Sequence, residues 1–341
     1  GGIELAPPAK HPRQAEIITS TVAQIGSRLL FRGYGLGLRS RQLGAALAAC
    51  DTTICLDEAH LAEPFAATAR AIAARRREEP EPVAPPVAVV RLSATLGDER
   101  PDDPPVMLSP EDRKQLASRL GAPKTARLVD PEDDSDRAQA DAILAAVADH
   151  LESGSGTIAC ICNSVRMART VFEQIGRRAP EADRMLLVGP QRPADRESIF
   201  DRPVRPGKDA APKDEAPRPS RRAVLFEGAE VDVPLVVVAT QTIEVGLDID
   251  VDALVTQSAS ASALTQRLGR LNRAGRAGVT GRATVIRQRD FPLYRADEGK
   301  AWDWLESLPA VGDGVDVSVD ALTAHPPPPT RPDAAAQLSD D

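Results

Sequence analysis

Two groups of residues carry side chains with specific chemistry. Asp57 and Glu58 are adjacent carboxylates that follow the apolar, β-branched run 52–56. At the carboxyl end of a strand, such a pair presents one carboxylate to a nucleotide-bound Mg²⁺ and the other to an attacking water. Far downstream, Gln266, Arg270 and Arg273 recur at intervals of four and three, as do Leu264, Leu268 and Leu271. On a helix this spacing predicts leucines packed against a core and an opposite face of Gln266, Arg270 and Arg273 aimed outward. Arginines held that way can enter a cleft between domains and neutralise charge developing on a transferred phosphoryl group. A solvated basic face is the other reading of the same spacing.

Both groups depend on the elements that carry them. Residues 52–56 are too short for a helix and read as a strand buried on both faces of a parallel sheet. Residues 16–20, 87–92, 156–162, 185–188, 235–239 and 253–256 read as further strands. Helical periodicity lies between them: Val22, Ile25, Leu29 and Leu30; residues 61–77, ending in three arginines that suit a helix C-terminus; Ile143, Leu144, Val147 and Leu151; and Val165, Ala168, Val171, Phe172 and Ile175. Ser109, Pro110 and Glu111 cap a short helix closed by Gly121, and residues 300–308, with Trp302 and Leu305, form a helix expected to pack on the second domain. This alternation predicts α/β architecture in two domains, residues 1–130 and 131–290, joined near the acidic stretch 130–136 and followed by an extension over 291–341. Residues 201–222 are Pro, Lys, Arg, Asp and Ala with almost no large apolar group, so disorder is expected there, as in the proline-rich tail.

The net charge of −8 excludes a uniformly basic nucleic-acid coat, and 3% aromatic residues exclude extensive base stacking. Any strand binding is therefore confined to a local groove and addressed to the backbone. The chain has no run of about 18 apolar residues and no signal-peptide pattern, so neither membrane insertion nor export is expected, and a cytoplasmic protein is. Cys50, Cys55, Cys160 and Cys162 lie in or beside strand-like segments without histidines at ligand spacing; they read as small buried hydrophobes rather than zinc ligands.

Thr19, Ser20 and Thr21 open the helix at 22–30, with Arg28 near its end. Hydroxyls and amides at a helix start suit a phosphate of a nucleic-acid backbone, and equally suit an ordinary N-cap. The box Asp57-Glu58-Ala59-His60 resembles motif II of superfamily 2 helicases, a Walker B arrangement. Ser93-Ala94-Thr95 resembles motif III, the strand-turn around Asn163 motif IV, residues 240–250 motif V, and residues 264–276 the motif VI pattern Gln-x-x-Gly-Arg-x-x-Arg. Residues 20–35, with Phe31-Arg32-Gly33-Tyr34-Gly35, and 57–65, ending Glu63-Pro64-Phe65, narrow the resemblance to the CRISPR-associated helicase of type I interference systems, closest to subtype U, also called G.

That resemblance implies two RecA-like parallel-sheet motor domains using ATP and Mg²⁺, with Asp57 holding the metal, Asp57, Glu58, Gln266, Arg270 and Arg273 in catalysis, and His60, Gly246 and Asp248 beside Gln266 and the arginines toward the nucleotide. It implies Thr19, Ser20, Thr21, Arg28, Asn163 and Thr240 on the nucleic-acid backbone, Ser93 and Thr95 in coupling, unwinding of DNA, and recruitment as a monomer to a guide-RNA surveillance complex. The sequence holds no Gly-x-x-x-x-Gly-Lys-Ser/Thr loop, and only 56 residues precede Asp57, so the first domain is expected to be N-terminally truncated and the isolated chain to hydrolyse no ATP. None of His11, His60, His150 and His325 is followed by Asp, so the family's His-Asp nuclease is not expected within this stretch. A superfamily 2 helicase acting on RNA or in repair, and a non-catalytic module that binds a strand or partner, are the alternatives.

Overall fold

The computed structural model describes residues 15–80, 84–93, 108–189, 191–205, 218–244 and 247–328. The chain divides into two compact units, the first ending at Asp98 and the second spanning Glu99–Thr330.

In the first unit, β1 (Thr53–Leu56) and β2 (Ala88–Arg91) pair in parallel, with Thr53 opposite Ala88 and Leu56 opposite Arg91. The helix Glu63–Arg77 connects them; Pro64 fits its first turn, Glu63 faces the positive end of its dipole, and Arg75, Arg76 and Arg77 close the negative end. Leu29, Leu56, Phe65, Ala66 and Ala69 form its core. Two expectations fail here. Residues 16–20 form no strand: Ile17 is fully exposed and, among the described residues, no neighbouring strand takes up the backbone. β1 is not buried on both faces either, because only Leu56 of its four residues is buried and Cys55 is exposed. Among the described residues the sheet has two strands, and burial on both faces of a parallel sheet requires helices packed on each face.

The second unit holds an eight-stranded sheet among the described residues. In chain order its strands are β3 (Lys124–Val129), β4 (Thr157–Ile161), β5 (Asp183–Leu187), β6 (Leu235–Ala239), β7 (Ala253–Gln257), β8 (Gly281–Ile286), β9 (Ala310–Val311) and β10 (Gly314–Asp316). Their spatial order is β5-β6-β4-β7-β8-β3-β10-β9, parallel through β3 and antiparallel over the last two. Alternation along β6 sends Leu235 and Val237 into one core, with Trp302 and Leu305, and Val236 and Val238 into the other, with Ile143, Val147, Val171 and Ile175. Helices therefore cover both faces, and β4, β6 and β7 are buried along their whole length.

β3 moves the domain boundary. It pairs with β8 from Lys124↔Gly281 to Val129↔Ile286, so the expected junction at 130–136 lies inside the second unit. That acidic stretch is a loop whose Asp134 carboxylate accepts from the Arg289 and Asp290 amides. The helix Glu298–Glu306 buries Trp302 and Leu305, and β10 extends the sheet from β3, so residues 291–324 also belong to this unit. Expected disorder at 201–222 is corrected at both ends. Val204 is buried and its amide bonds Pro219, while Arg221 starts the helix Arg221–Glu227; residues 206–217 lie outside the described residues, as do 329–341.

His150 shows how this core responds to acid. Its Nε2 lies 3.1 Å from Thr284 Oγ1 in a buried site, and burial, then the neighbouring Arg127 guanidinium, pull its pKa down to about 4. The folded state therefore holds the neutral ring, while the unfolded chain takes a proton once pH falls below about 6.5. Stability is lost as pH falls from there toward about 4, by on the order of 2–3 kcal/mol. Both tryptophans, Trp302 and Trp304, report on this unit. The urea midpoint of their fluorescence should fall between pH 7 and pH 5 in the wild-type chain and fall less in His150→Gln; parallel dependences would contradict this assignment.

Candidate functional site

The carboxylates stand where the strand places them. Asp57 follows β1 directly and is exposed; its Oδ1 accepts from the Glu58 amide at 3.0 Å. Glu58 occupies the left-handed region at φ 49° and ψ 48°, and the next amide, Ala59, donates to Leu92 O beyond β2 at 3.0 Å. A non-glycine residue held there stores on the order of 1–3 kcal/mol of strain, a cost that concentrates at functional sites. Ser93 follows β2 and therefore shares the carboxyl edge with Asp57 and Glu58. Thr95 and Gly246 lie outside the described residues, as does the side chain of His60.

Thr21 caps the helix Val22–Leu29. Its Oγ1 accepts from Gln24 N, and Gln24 Oε1 accepts from Thr21 N, both at 3.3 Å. The capping reading is thus observed. Thr19, Ser20 and Thr21 are exposed and Arg28 is half-buried.

In the second unit, Asn163, Thr240 and Ser258 follow β4, β6 and β7 at the carboxyl edge of the sheet. Asn163 is nevertheless engaged inward. It is 3% exposed; its Nδ2 donates to Ser258 O and Gln288 Oε1, both at 2.8 Å, and its Oδ1 accepts from Arg267 at 3.1 Å. All its side-chain polar atoms are thus engaged within this unit. Thr240 is buried as well.

The motif VI segment departs from the helical prediction. The helix Ala261–Leu268 ends at Gly269, and the chain then pairs with Val251: Val251 N donates to Arg270 O at 3.1 Å and Asn272 N to Val251 O at 2.8 Å. Asn272 turns the chain at φ 36°, a conformation asparagine tolerates well. Leu264, Leu268 and Leu271 are all buried as expected, the last through this bridge rather than through helical periodicity. Gln266 and Arg270 are also buried instead of aimed outward. Arg270 donates to Glu244 O and lies 3.6 Å from Asp248; Arg273 is half-exposed and ion-paired with the same Asp248. Motifs V and VI therefore meet at Asp248, in a cluster extended by Arg276, which pairs with Asp250 at 3.2 Å and Asp252 at 2.7 Å. Gly275 permits this turn: its φ is +67°, and a Cβ would stand 2.1 Å from Ser118 O.

Sequence reasoning passed over Arg267, which is completely buried and gathers motifs IV, V and VI around one guanidinium. The signal was present only as an arginine on the leucine-bearing helix, next to Gln266.

Among the described residues no group of three or more His, Cys, Asp or Glu side chains could hold a metal ion, and no helix is long and apolar enough to cross a membrane. Cys160 and Cys162 are buried as expected, whereas Cys50 is partly exposed and Cys55 exposed, because each lies beside or in the thinly covered sheet of the first unit.

Residues 154–276, from just before β4 through motif VI, match the family model described as CRISPR-associated nuclease/helicase Cas3, C-terminal. Among solved structures, T. fusca Cas3 with ATP is 20% identical with a TM-score of 0.54, over 86% of this chain and 36% of that one. The Escherichia coli DEAH/RHA helicase HrpB is 18% identical with a TM-score of 0.46, over 73% and 29%. Mycobacterium smegmatis helicase Lhr bound to ssDNA and AMP-PNP is 17% identical with a TM-score of 0.41, over 80% and 32%. The chain spans about a third of the length of these structures. No curated protein matches it. The fold is that of RecA-like helicase domains.

Proposed function

We propose, from the premise that residues 154–276 form a Cas3-like superfamily 2 helicase domain, that this chain supplies both motor units of an ATP-driven DNA translocase. The chain itself holds no Gly-x-x-x-x-Gly-Lys-Ser/Thr phosphate-binding loop. The observation that carries the reading is the placement of the motif residues. Asp57, Glu58 and Ser93 share one strand edge in the first unit, and Asp248, Arg270 and Arg273 meet in the second.

Asp57 fits a Mg²⁺-nucleotide, since it is an exposed carboxylate at a strand end and this ion takes one or two carboxylates while keeping waters and substrate phosphates. When bound, the ion would neutralise charge on the phosphate oxygens. Glu58 accepts the proton of the attacking water, and Arg273 supplies positive charge to the transferred phosphoryl group. The resemblance of runs 20–35 and 57–65 supports placing the motor in a type I CRISPR interference system, which implies recruitment to a guide-RNA surveillance complex and unwinding of target DNA in the cytoplasm. The test is ATP-dependent displacement of a labelled DNA strand by a protein that adds the phosphate loop to this chain. Displacement of an RNA strand alone would transfer the function to the RNA-helicase alternative, and no displacement would contradict the translocase.

Thr19, Ser20, Thr21, Arg28 and Thr240 address the nucleic-acid backbone in this reading, which makes a separate prediction. Arg28→Ala should weaken single-stranded DNA binding about equally for all sequences and reduce the salt slope by roughly one, because each lost phosphate contact releases about one counterion fewer. Anisotropy titrations over a salt series check this; unchanged affinity and slope would remove Arg28 from the strand path.

A further inference from the structure

We propose that Arg267 is a positioning residue: its buried guanidinium locks the motif V turn to the end of β4, and thereby sets Arg270 and Asp248 for the reaction. This rests on the translocase reading for its catalytic consequence and on geometry for its positioning role.

The side chain of Arg267 is 0% exposed, and acceptors surround its whole fork. Nε donates to Glu244 Oε1 at 2.8 Å, and the same carboxylate oxygen lies 2.7 Å from one terminal nitrogen. That nitrogen also reaches Asn163 Oδ1 at 3.1 Å and the Tyr294 hydroxyl at 3.4 Å. The other terminal nitrogen donates to Thr256 Oγ1 at 2.8 Å and to Gln257 O at 2.9 Å. These partners come from motif V, from the ends of β4 and β7, and from the segment after β8. Arg267 cannot act on a phosphate directly, since it is buried and its charge is met by Glu244.

Its effect passes through Glu244, which ends the 3-10 turn Gln241–Ile243. The side chain of Glu244 is held by Arg267, and its carbonyl accepts from Arg270. Gln241 donates to Asn163 O at 3.1 Å, which ties the start of the same turn to the same strand end. Arg270 in turn faces Asp248. The turn is thus fixed at both ends before Arg270 is placed. A buried ion pair of this kind is a poor source of stability, because well-packed apolar residues of similar volume do as well or better. What it supplies is geometry: a planar fork with five donors has one arrangement that satisfies all these acceptors, and lysine, with three rotatable donors, does not reproduce it.

The first measurement uses the 341-residue chain and needs no activity. In Arg267→Lys, amide exchange across residues 241–244 and 267–271 should accelerate about tenfold or more while β6 and β7 keep their protection. Unchanged exchange would overturn the proposal. Loss of protection throughout the second unit passes the decision to Glu244→Gln, which removes only the charge of the pair; local acceleration there supports the positioning role, and none overturns it. The second measurement uses the protein that includes the phosphate loop. Arg267→Lys should lower kcat about tenfold or more with KM for ATP changed less than about threefold. A rise in KM that accounts for the whole effect, or full activity with lysine, would overturn the catalytic consequence. If the wild-type protein turned over no ATP, the translocase reading would fail, and the exchange data would still decide whether Arg267 positions the turn.

Discussion

Arg273→Ala should lower nucleic-acid-stimulated ATP turnover on the order of 10³-fold in a protein that carries the phosphate loop, and Arg273→Lys should be nearly as damaging. The structure separates this residue from Arg270. Arg273 keeps 45% of its side-chain surface exposed, and its partner Asp248 keeps 71%. Such a pair contributes about 0–1 kcal/mol, so its guanidinium can leave Asp248 for a phosphate at little cost. Arg270 is buried and bonded to a carbonyl, so Arg270→Ala mixes lost turnover with a loosened turn and a lower melting temperature. Arg273 is the cleaner probe. A charge that matters when negative charge develops should leave ground-state affinity little changed, and the comparison is turnover at saturating single-stranded DNA beside nucleotide affinity. An affinity loss that explains all the lost activity, or full rescue by lysine, would make Arg273 a ground-state binder.

The largest stability effect is expected at Asp183, at the start of β5. Its carboxylate is fully buried and accepts two bonds from Arg221, at 2.8 and 2.7 Å, and one from the Arg184 amide at 2.9 Å. Asp183→Ala leaves the Arg221 charge buried without its main counter-charge, which costs about 3–5 kcal/mol. The double replacement Asp183→Leu with Arg221→Met removes both charges and should recover most of that loss. Tryptophan-monitored urea unfolding measures both. A single variant within about 1 kcal/mol of wild type would show that the pair is not what fastens the helix Arg221–Glu227 to β5.

The strands that define the sheets were legible because their residues leave few alternatives. Residues 235–239, for instance, are continuously apolar with three consecutive valines, and they form a strand buried along its whole length. Asp57, Glu58 and Ser93 could be assigned to one edge for the same reason: each follows a strand, and parallel strands share their carboxyl edge. Other features depend on partners distant in sequence. β3 reads Lys-Thr-Ala-Arg-Leu-Val, too charged to signal a strand, and is held by its pairing with β8. Residues 16–20 have strand composition but no partner strand among the described residues. The leucine spacing of 264–271 found the right buried residues, yet the backbone leaves the helix at Gly269 to pair with Val251, which turns Arg270 inward. Arg267 could not be told from its neighbouring arginines, because its burial is imposed by Glu244, Thr256 and Asn163.

ATP hydrolysis with and without single-stranded DNA, in a protein that adds the phosphate loop to this chain, is the most direct measurement. Strong stimulation by DNA, abolished by Glu58→Gln while nucleotide still binds, is the predicted result. Turnover that is indifferent to nucleic acid, or that survives Glu58→Gln, would contradict a motor built on these two strand edges.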